Sequence, residues 1–172
     1  MKREVVIGLE IHLQLKTKTK LFCSCSTDYI GAVPNTNVCP VCLAVPGTLP
    51  VINDHAVDLA VKMGLGLHCD IQDGTRFHRK HYFYADLPKA YQITQYEHAI
   101  AQGGYLDIIA DGKEKRVHLD HLHLEEDAGK LVHPTADGRL SGAAYSLVDY
   151  NRGGMPLSEI VSMPDMNSPA EA

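Results

Sequence analysis

The chain has 172 residues, 45% hydrophobic and 22% charged, with no tryptophan, which suffices for one domain with a buried core and is short for two. A formal net charge of −5 excludes a global basic field, so any contact with nucleic acid must come from a local basic patch. The first residues pass from charge directly into alternating sequence, and no run of about 18 apolar residues follows, which argues against secretion and membrane spanning and makes the cytoplasm the expected compartment.

The first predicted strand is VVIGLEIHLQL. Val5, Ile7, Leu9, Ile11, Leu13 and Leu15 share one face, and Val6, Gly8, Glu10, His12 and Gln14 the other, a period-2 pattern expected of a strand buried on one side. A loop-rich segment follows with Cys23, Cys25, Cys39 and Cys42 in a C-x-C and C-x2-C arrangement. In a reducing compartment disulfides are not expected, and two tight pairs joined by a loop supply the four ligands of a structural zinc knuckle, in which binding contributes on the order of 10 kcal/mol to folding. Free buried thiols and redox chemistry are the alternatives. Asn53 reads as the cap of a helix running through Asp54 to about Leu65, with Ala56, Val57, Ala60, Val61 and Gly64 on its packed face.

The stretch RFHRKHYFYADLPKAYQITQY interleaves Arg76, Arg79, Lys80 and Lys89 with Phe77, Tyr82, Phe83, Tyr84, Tyr91 and Tyr96. It predicts two strands around a turn at Asp86-Leu87-Pro88-Lys89, and its basic and aromatic side chains, Arg79 and Tyr82 among them, suit a nucleotide or tRNA contact; core and edge packing is the more common role of tyrosines in strands. Asp111-Gly112 between two extended runs predicts a type I′ hairpin leading into VHLDHLHLEEDAGK. There, strict alternation puts His121, His123 and Glu125 on one face and Leu122, Leu124 and Glu126 on the other, while the apolar phase changes between Leu119 and Leu122, which predicts a β-bulge near Asp120. If this strand and the first share a sheet, Glu10, His12, Glu125 and Glu126 converge on a divalent cation, Mg²⁺ or Mn²⁺ by their oxygens and Zn²⁺ if imidazole dominates. The same residues also read as solvated strand positions. Beyond Lys130 a turn-rich loop leads to two short strands, YSLVDYNRGG and PLSEIV. Asp149, Asn151 and Arg152 stand beside glycines where a backbone can approach a phosphate, or in a plain turn. Ser168, Pro169 and Glu171 have the spacing of a helix beginning, from which a longer parent protein is expected.

With GLEIHLQL, PNTNVCPVCLAVPGTLPVIN, RKHYFYADLPKAYQITQY, HLEEDAGK and SLVDYNRGGMPLSEIVSMPD in the same order, the chain resembles the B-type subunit family of the tRNA-dependent Asp/Glu amidotransferases over essentially its whole length. The resemblance implies an α+β fold of mainly antiparallel sheet with a zinc-knuckle loop and one or two helices, residues 1–172 forming the N-terminal part of the family's cradle domain. It implies ATP-dependent phosphorylation of the side-chain carboxylate of misacylated Glu-tRNA(Gln) or Asp-tRNA(Asn). Amidation then follows with ammonia from an amidase (glutaminase) subunit, and a small stabilising subunit completes the heterotrimer. Glu10, His12, Glu125 and Glu126 then resemble Mg²⁺ ligands, and Lys80, Lys89 and Glu126 the polar gate of an ammonia passage. Ala128-Gly129-Lys130 lacks the glycine loop of a Walker A motif, so ATP must sit on another kind of surface. The rival readings are the archaeal paralogue that acts on Glu-tRNA(Gln) only and a zinc-stapled RNA-binding module without catalysis.

Overall fold

Fourteen consecutive residues free of proline and glycine, Lys113–Glu126, form one long strand, and the main sheet is assembled along its two edges. In the computed structural model, which describes residues 3–172, the elements in chain order are β1 (Glu10–Gln14), α1 (Asp54–Gly66), β2 (Asp70–Ile71), β3 (His78–His81), β4 (Tyr91–Thr94), β5 (Ala101–Gln102), β6 (Tyr105–Ala110), β7 (Lys113–Glu126), β8 (Lys130–Val132), β9 (Leu147–Asp149) and β10 (Pro156–Ser162). On one edge of β7 lies β10, with β1 outside it. On the other edge β6, β5 and β4 take successive stretches of β7, and β3 lies beyond β4. All these pairings are antiparallel, and β8 with β9 forms a separate small sheet. The expected α+β architecture, mainly antiparallel with one helix among the described residues, is the one observed.

Local chemistry explains the hinges. Asp111 and Gly112 have φ of 50° and 72°, the left-handed pair that a type I′ hairpin requires. Val161 opposes His121 while its neighbour Ser162 opposes Leu119, so Asp120 is the extra residue of a bulge, as the phase change predicts. Asn53 caps α1, accepting from the backbone N–H groups of His55 and Ala56 at 3.0 and 3.4 Å, and its side-chain amide donates to the Thr19 carbonyl at 3.0 Å. Ala56, Ala60 and Gly64 form the buried stripe of α1. Ala56 and Ala60 belong to the same core as Leu119, Leu122 and Leu124 of β7, with Ile93 and Ile160 packed against it. The contact at Gly64 is so close that an added Cβ would stand 2.7 Å from Ile71 Cδ1. Leu122 and Leu124 are both essentially inaccessible, and burial of each stabilises the fold by roughly 1.5–3 kcal/mol.

The structure corrects two expectations. The apolar face of the first strand is buried only at Leu15; Ile11 and Leu13 are each 47% exposed. An α-helix is about 10 Å across and strands lie about 4.8 Å apart, so one helix packed over β7 cannot cover β1, two strands away at the sheet edge. The β3–β4 connection is also wider than a single turn at Asp86–Lys89. It spans residues 82–90 and closes in two steps, Leu87 N–H to the Tyr84 carbonyl and Ala90 N–H to the Leu87 carbonyl, both at 3.0 Å. At the C-terminal end, Ser168 to Glu171 forms one turn closed at 3.2 Å. No helix among the described residues is long and apolar enough to cross a membrane.

Candidate metal and substrate site

Residues directly opposite one another in antiparallel strands project from the same face. The observed register therefore aligns His12, Glu159 and His123 in one row across β1, β10 and β7, with Glu10, Val161 and His121 in the row on one side and Gln14, Leu157, Glu125 and Thr94 on the other. This face is polar; the opposite face carries Leu122, Leu124 and the helix. Alternation along β7 thus sends His121, His123 and Glu125 to one side of the sheet and the core leucines to the other.

On the polar face His12 Nε2 lies 3.1 Å from Glu125 and 3.4 Å from Glu159, and His123 Nε2 lies 3.1 Å from Glu159 and 3.6 Å from Glu125. His12, Glu125 and Glu159 each present a ligand atom within 4.8 Å of the others, a nitrogen and two hard oxygens that fit Mg²⁺ or Mn²⁺. Burial pushes the Glu125 carboxyl upward, but the His123 hydrogen bond, the charges of His123 and His12 and the Thr94 hydroxyl outweigh it, so Glu125 sits below the usual carboxylate range. The chain of contacts extends outward from His123 Nδ1 to His121 Nε2 at 2.9 Å and from His121 Nδ1 to Asp120 at 2.7 Å. From the core side, the buried Gln95 carbonyl accepts from Leu124 N–H at 3.0 Å and Ile100 N–H at 3.2 Å, fixing β7 between His123 and Glu125.

Two cavities flank this cluster, of about 490 and 450 Å³, and Glu10, Lys80, Glu125 and Glu159 line both. Glu10 and Lys80 are exposed, on strands at either side of the cluster. Tyr82 borders the second cavity, its phenol pushed up first by burial and then by the charges of Asp86, Glu125, Glu126 and Asp127. Asp127 lines it too, raised by burial despite Arg152 and the Gln14 amide. Arg79 lies on the first cavity with its guanidinium 4.8 Å from the centre of the Tyr91 ring. Phe83, Tyr84 and Tyr96 are exposed nearby in sequence.

Other predicted site residues lie elsewhere. Glu126 follows the alternation to the opposite face, where its carboxylate is paired with Lys89 and accepts from Ile93 N–H at 3.0 Å. It borders the second cavity next to Glu125, but its carboxylate does not join the ligand atoms of His12, Glu125 and Glu159. Asn151 is wholly buried, and its amide is spent on the Val33 carbonyl and the Asn37 N–H, both at 2.8 Å. Arg152 donates to the carbonyls of Ala128 and Gly129 at 3.0 and 2.7 Å and thereby braces the turn after Glu126. These two side chains organise loops around the site.

Lys89 and Glu126 border a third cavity, about 270 Å³, with Cys23 and Cys42 on its far wall. All four predicted cysteines converge, their sulfur atoms within 4.8 Å of one another, which fits a tetrahedral thiolate metal site. Cys42 accepts the Cys39 N–H at 3.1 Å. The Cys23 hydrogen bond, with that backbone contact and the Lys20 charge against burial, brings the Cys42 thiol down to about 4, whereas burial and the Cys39 hydrogen bond push Cys25 up to about 11.

Glu159 is the site residue missed in the sequence. It sits in PLSEIV, where strand periodicity places it on the side opposite Ser158 but nothing local marks it as a ligand; only the pairing of β10 between β1 and β7 brings it to His12 and His123.

Comparison with known proteins gives the same direction. The family described as "GatB/GatE catalytic domain" matches residues 5–172. Proteins from Carboxydothermus hydrogenoformans and Moorella thermoacetica, each named as the B-type subunit of an aspartyl/glutamyl-tRNA(Asn/Gln) amidotransferase, are 56% and 57% identical over 169 and 172 residues, 98% and 100% of this chain but 34% and 35% of theirs. A protein of the same name from Methanoregula boonei is 56% identical over 170 residues, 98% of this chain and 35% of its own. The chain thus spans about a third of the length of the curated relatives it matches. By this match across nearly its whole length, the chain belongs to the GatB/GatE catalytic-domain family.

Proposed function

We propose that this chain is the N-terminal part of the cradle domain of a tRNA-dependent amidotransferase, and that it builds the site where ATP phosphorylates the side-chain carboxylate of Glu or Asp misattached to tRNA. Amidation follows with ammonia from an amidase subunit, in a cytoplasmic complex completed by a small stabilising subunit. The observation that carries the reading is the row His12, Glu159 and His123 with Glu125 beside it, a preformed carboxylate and imidazole cluster between two cavities. Phosphoryl transfer is governed by positioning and charge neutralisation. Mg²⁺ held by His12, Glu125 and Glu159, with Glu10 at the wall, would supply that neutralisation.

The protein's own groups divide the remaining work. Lys80, bordering both cavities, supplies a cation for phosphate oxygens. Arg79, Tyr82 and the exposed rings of Phe83, Tyr84 and Tyr96 offer guanidinium and aromatic surface for the nucleotide and the end of the tRNA. The Lys89–Glu126 pair on the other face gates ammonia. Zinc on the four cysteines staples the loop that walls the third cavity.

Mn²⁺ titration of the chain followed by electron paramagnetic resonance tests the metal reading. Glu159→Gln and His12→Ala are each expected to weaken binding at least about tenfold, and Glu126→Gln to leave it unchanged. Mn²⁺ binding indifferent to Glu159 and His12 refutes the site. In the assembled complex, Glu125→Ala is expected to abolish Mg²⁺-dependent ATP use; retained ATP use there, with only tRNA binding measurable as this chain's role, favours the RNA-binding module.

A further inference from the structure

Lys20 is the most deeply buried lysine among the described residues, with no accessible surface. Its ammonium donates to the Asn37 carbonyl at 2.8 Å and the Tyr150 carbonyl at 3.4 Å, and lies 3.7 Å from the Cys42 sulfur. These three acceptors match its three N–H bonds. Among the described residues none of the ion pairs includes Lys20; the two buried or half-buried lysines that do pair reach Glu126 and Glu171. A buried charge without a counter-charge is strongly destabilising. The one group beside the Lys20 ammonium able to carry negative charge is the Cys42 sulfur, and four thiolates around Zn²⁺ would carry a net double negative charge at that place.

We infer that Lys20 is the built-in counter-cation of the cysteine-bound zinc and a positioning residue that ties the metal loop to the turn behind the carboxylate site. The inference rests on the zinc reading. The tie is traceable in contacts: Lys20 N–H bonds the Cys25 carbonyl and Leu21 N–H the Gly154 carbonyl, both at 2.9 Å. The Lys20 ammonium holds the Tyr150 carbonyl, and two residues on, Arg152 holds the carbonyls of Ala128 and Gly129, immediately after Glu125, Glu126 and Asp127. Zinc binding and the set of that turn are therefore coupled through the backbone and the ammonium of Lys20 and the backbone of Leu21.

The test is a reversal of sign that a packing role does not produce. In the zinc-loaded chain Lys20→Met weakens zinc binding about 10- to 100-fold in chelator competition and lowers the melting temperature. In a chain with all four cysteines replaced by serine, the same Lys20→Met raises the melting temperature, because it removes an uncompensated buried charge. Unchanged zinc affinity, or the same sign of thermal shift in both backgrounds, overturns the assignment of Lys20 alone. Should Lys20→Met not fold, amine acetylation of the unaltered chain carries the test: Lys20 is expected to be protected with zinc and labelled after chelation, and equal labelling in the two states overturns the assignment. An unaltered chain that takes up no zinc overturns the zinc reading, and Lys20 with it.

Discussion

Replacing Lys89 by methionine tests the Lys89–Glu126 pair directly. Lys89 is 9% exposed and Glu126 2%, so neither charge is relieved by water when the other is removed. In Lys89→Met the Glu126 carboxylate keeps only the Ile93 N–H at 3.0 Å, and loss of one partner of a buried pair costs about 3–5 kcal/mol. For a domain of this length each kcal/mol moves the melting temperature by about 2–4 °C, so a loss on the order of 10 °C is expected. Methionine fills most of the lysine stem, which leaves charge as the main difference. The assay is urea and thermal unfolding by far-ultraviolet circular dichroism, since the chain has no tryptophan. The double variant Lys89→Met with Glu126→Leu is expected to recover most of the loss, because it removes the stranded charge together with its partner. A single variant as stable as the parent, or a double variant no better than the single, refutes the reasoning that the pair is held by mutual neutralisation.

Two further outcomes follow from side chains near the site. Glu125 lies below the ordinary carboxylate range in the folded chain, so its contribution to stability is present above the unfolded carboxylate pKa and lost as pH falls through the lower folded value; Glu125→Gln is expected to flatten the loss of stability below about pH 4, and an unaltered acid profile speaks against the His123 and His12 contacts. Asn151→Ala removes the partners of the Val33 carbonyl and Asn37 N–H and is expected to cost about 1–3 kcal/mol in urea unfolding while Mn²⁺ affinity stays the same. Loss of Mn²⁺ affinity at full stability would instead make Asn151 a ligand-binding residue.

What could be read from the sequence was local. The left-handed turn at Asp111-Gly112, the cap at Asn53 and the phase change at Asp120 each have a signature within a few residues, and each is found as expected. The convergence of the cysteines was legible for the same reason, since two close pairs need only one loop to meet. Glu159 was not legible because it reaches His123 through the pairing of two strands far apart in sequence, and no local feature encodes a register of that kind. Grouping Glu126 with Glu125 gave weight to adjacency in sequence, whereas the period-2 geometry of β7 separates them by the thickness of the sheet. The exposed Ile11 and Leu13 show a different limit: an apolar face states that burial is favourable, without saying that this stretch of chain contains what would cover it.

Glu125 and Glu126 are joined by one peptide bond and meet at one cavity, yet only Glu125 reaches the cavity of His121 and His123 and only Glu126 the one walled by the cysteine loop. This arrangement restricts how such a strand can change over evolutionary time. Any gain or loss of a single residue between the Asp120 bulge and Glu126 exchanges the two carboxylates and drives a histidine into the core in place of a leucine. Point substitution can tune either compartment alone, but change in length has to be absorbed elsewhere, and the exposed turns between β8 and β9 can take it without moving a side chain of the cluster.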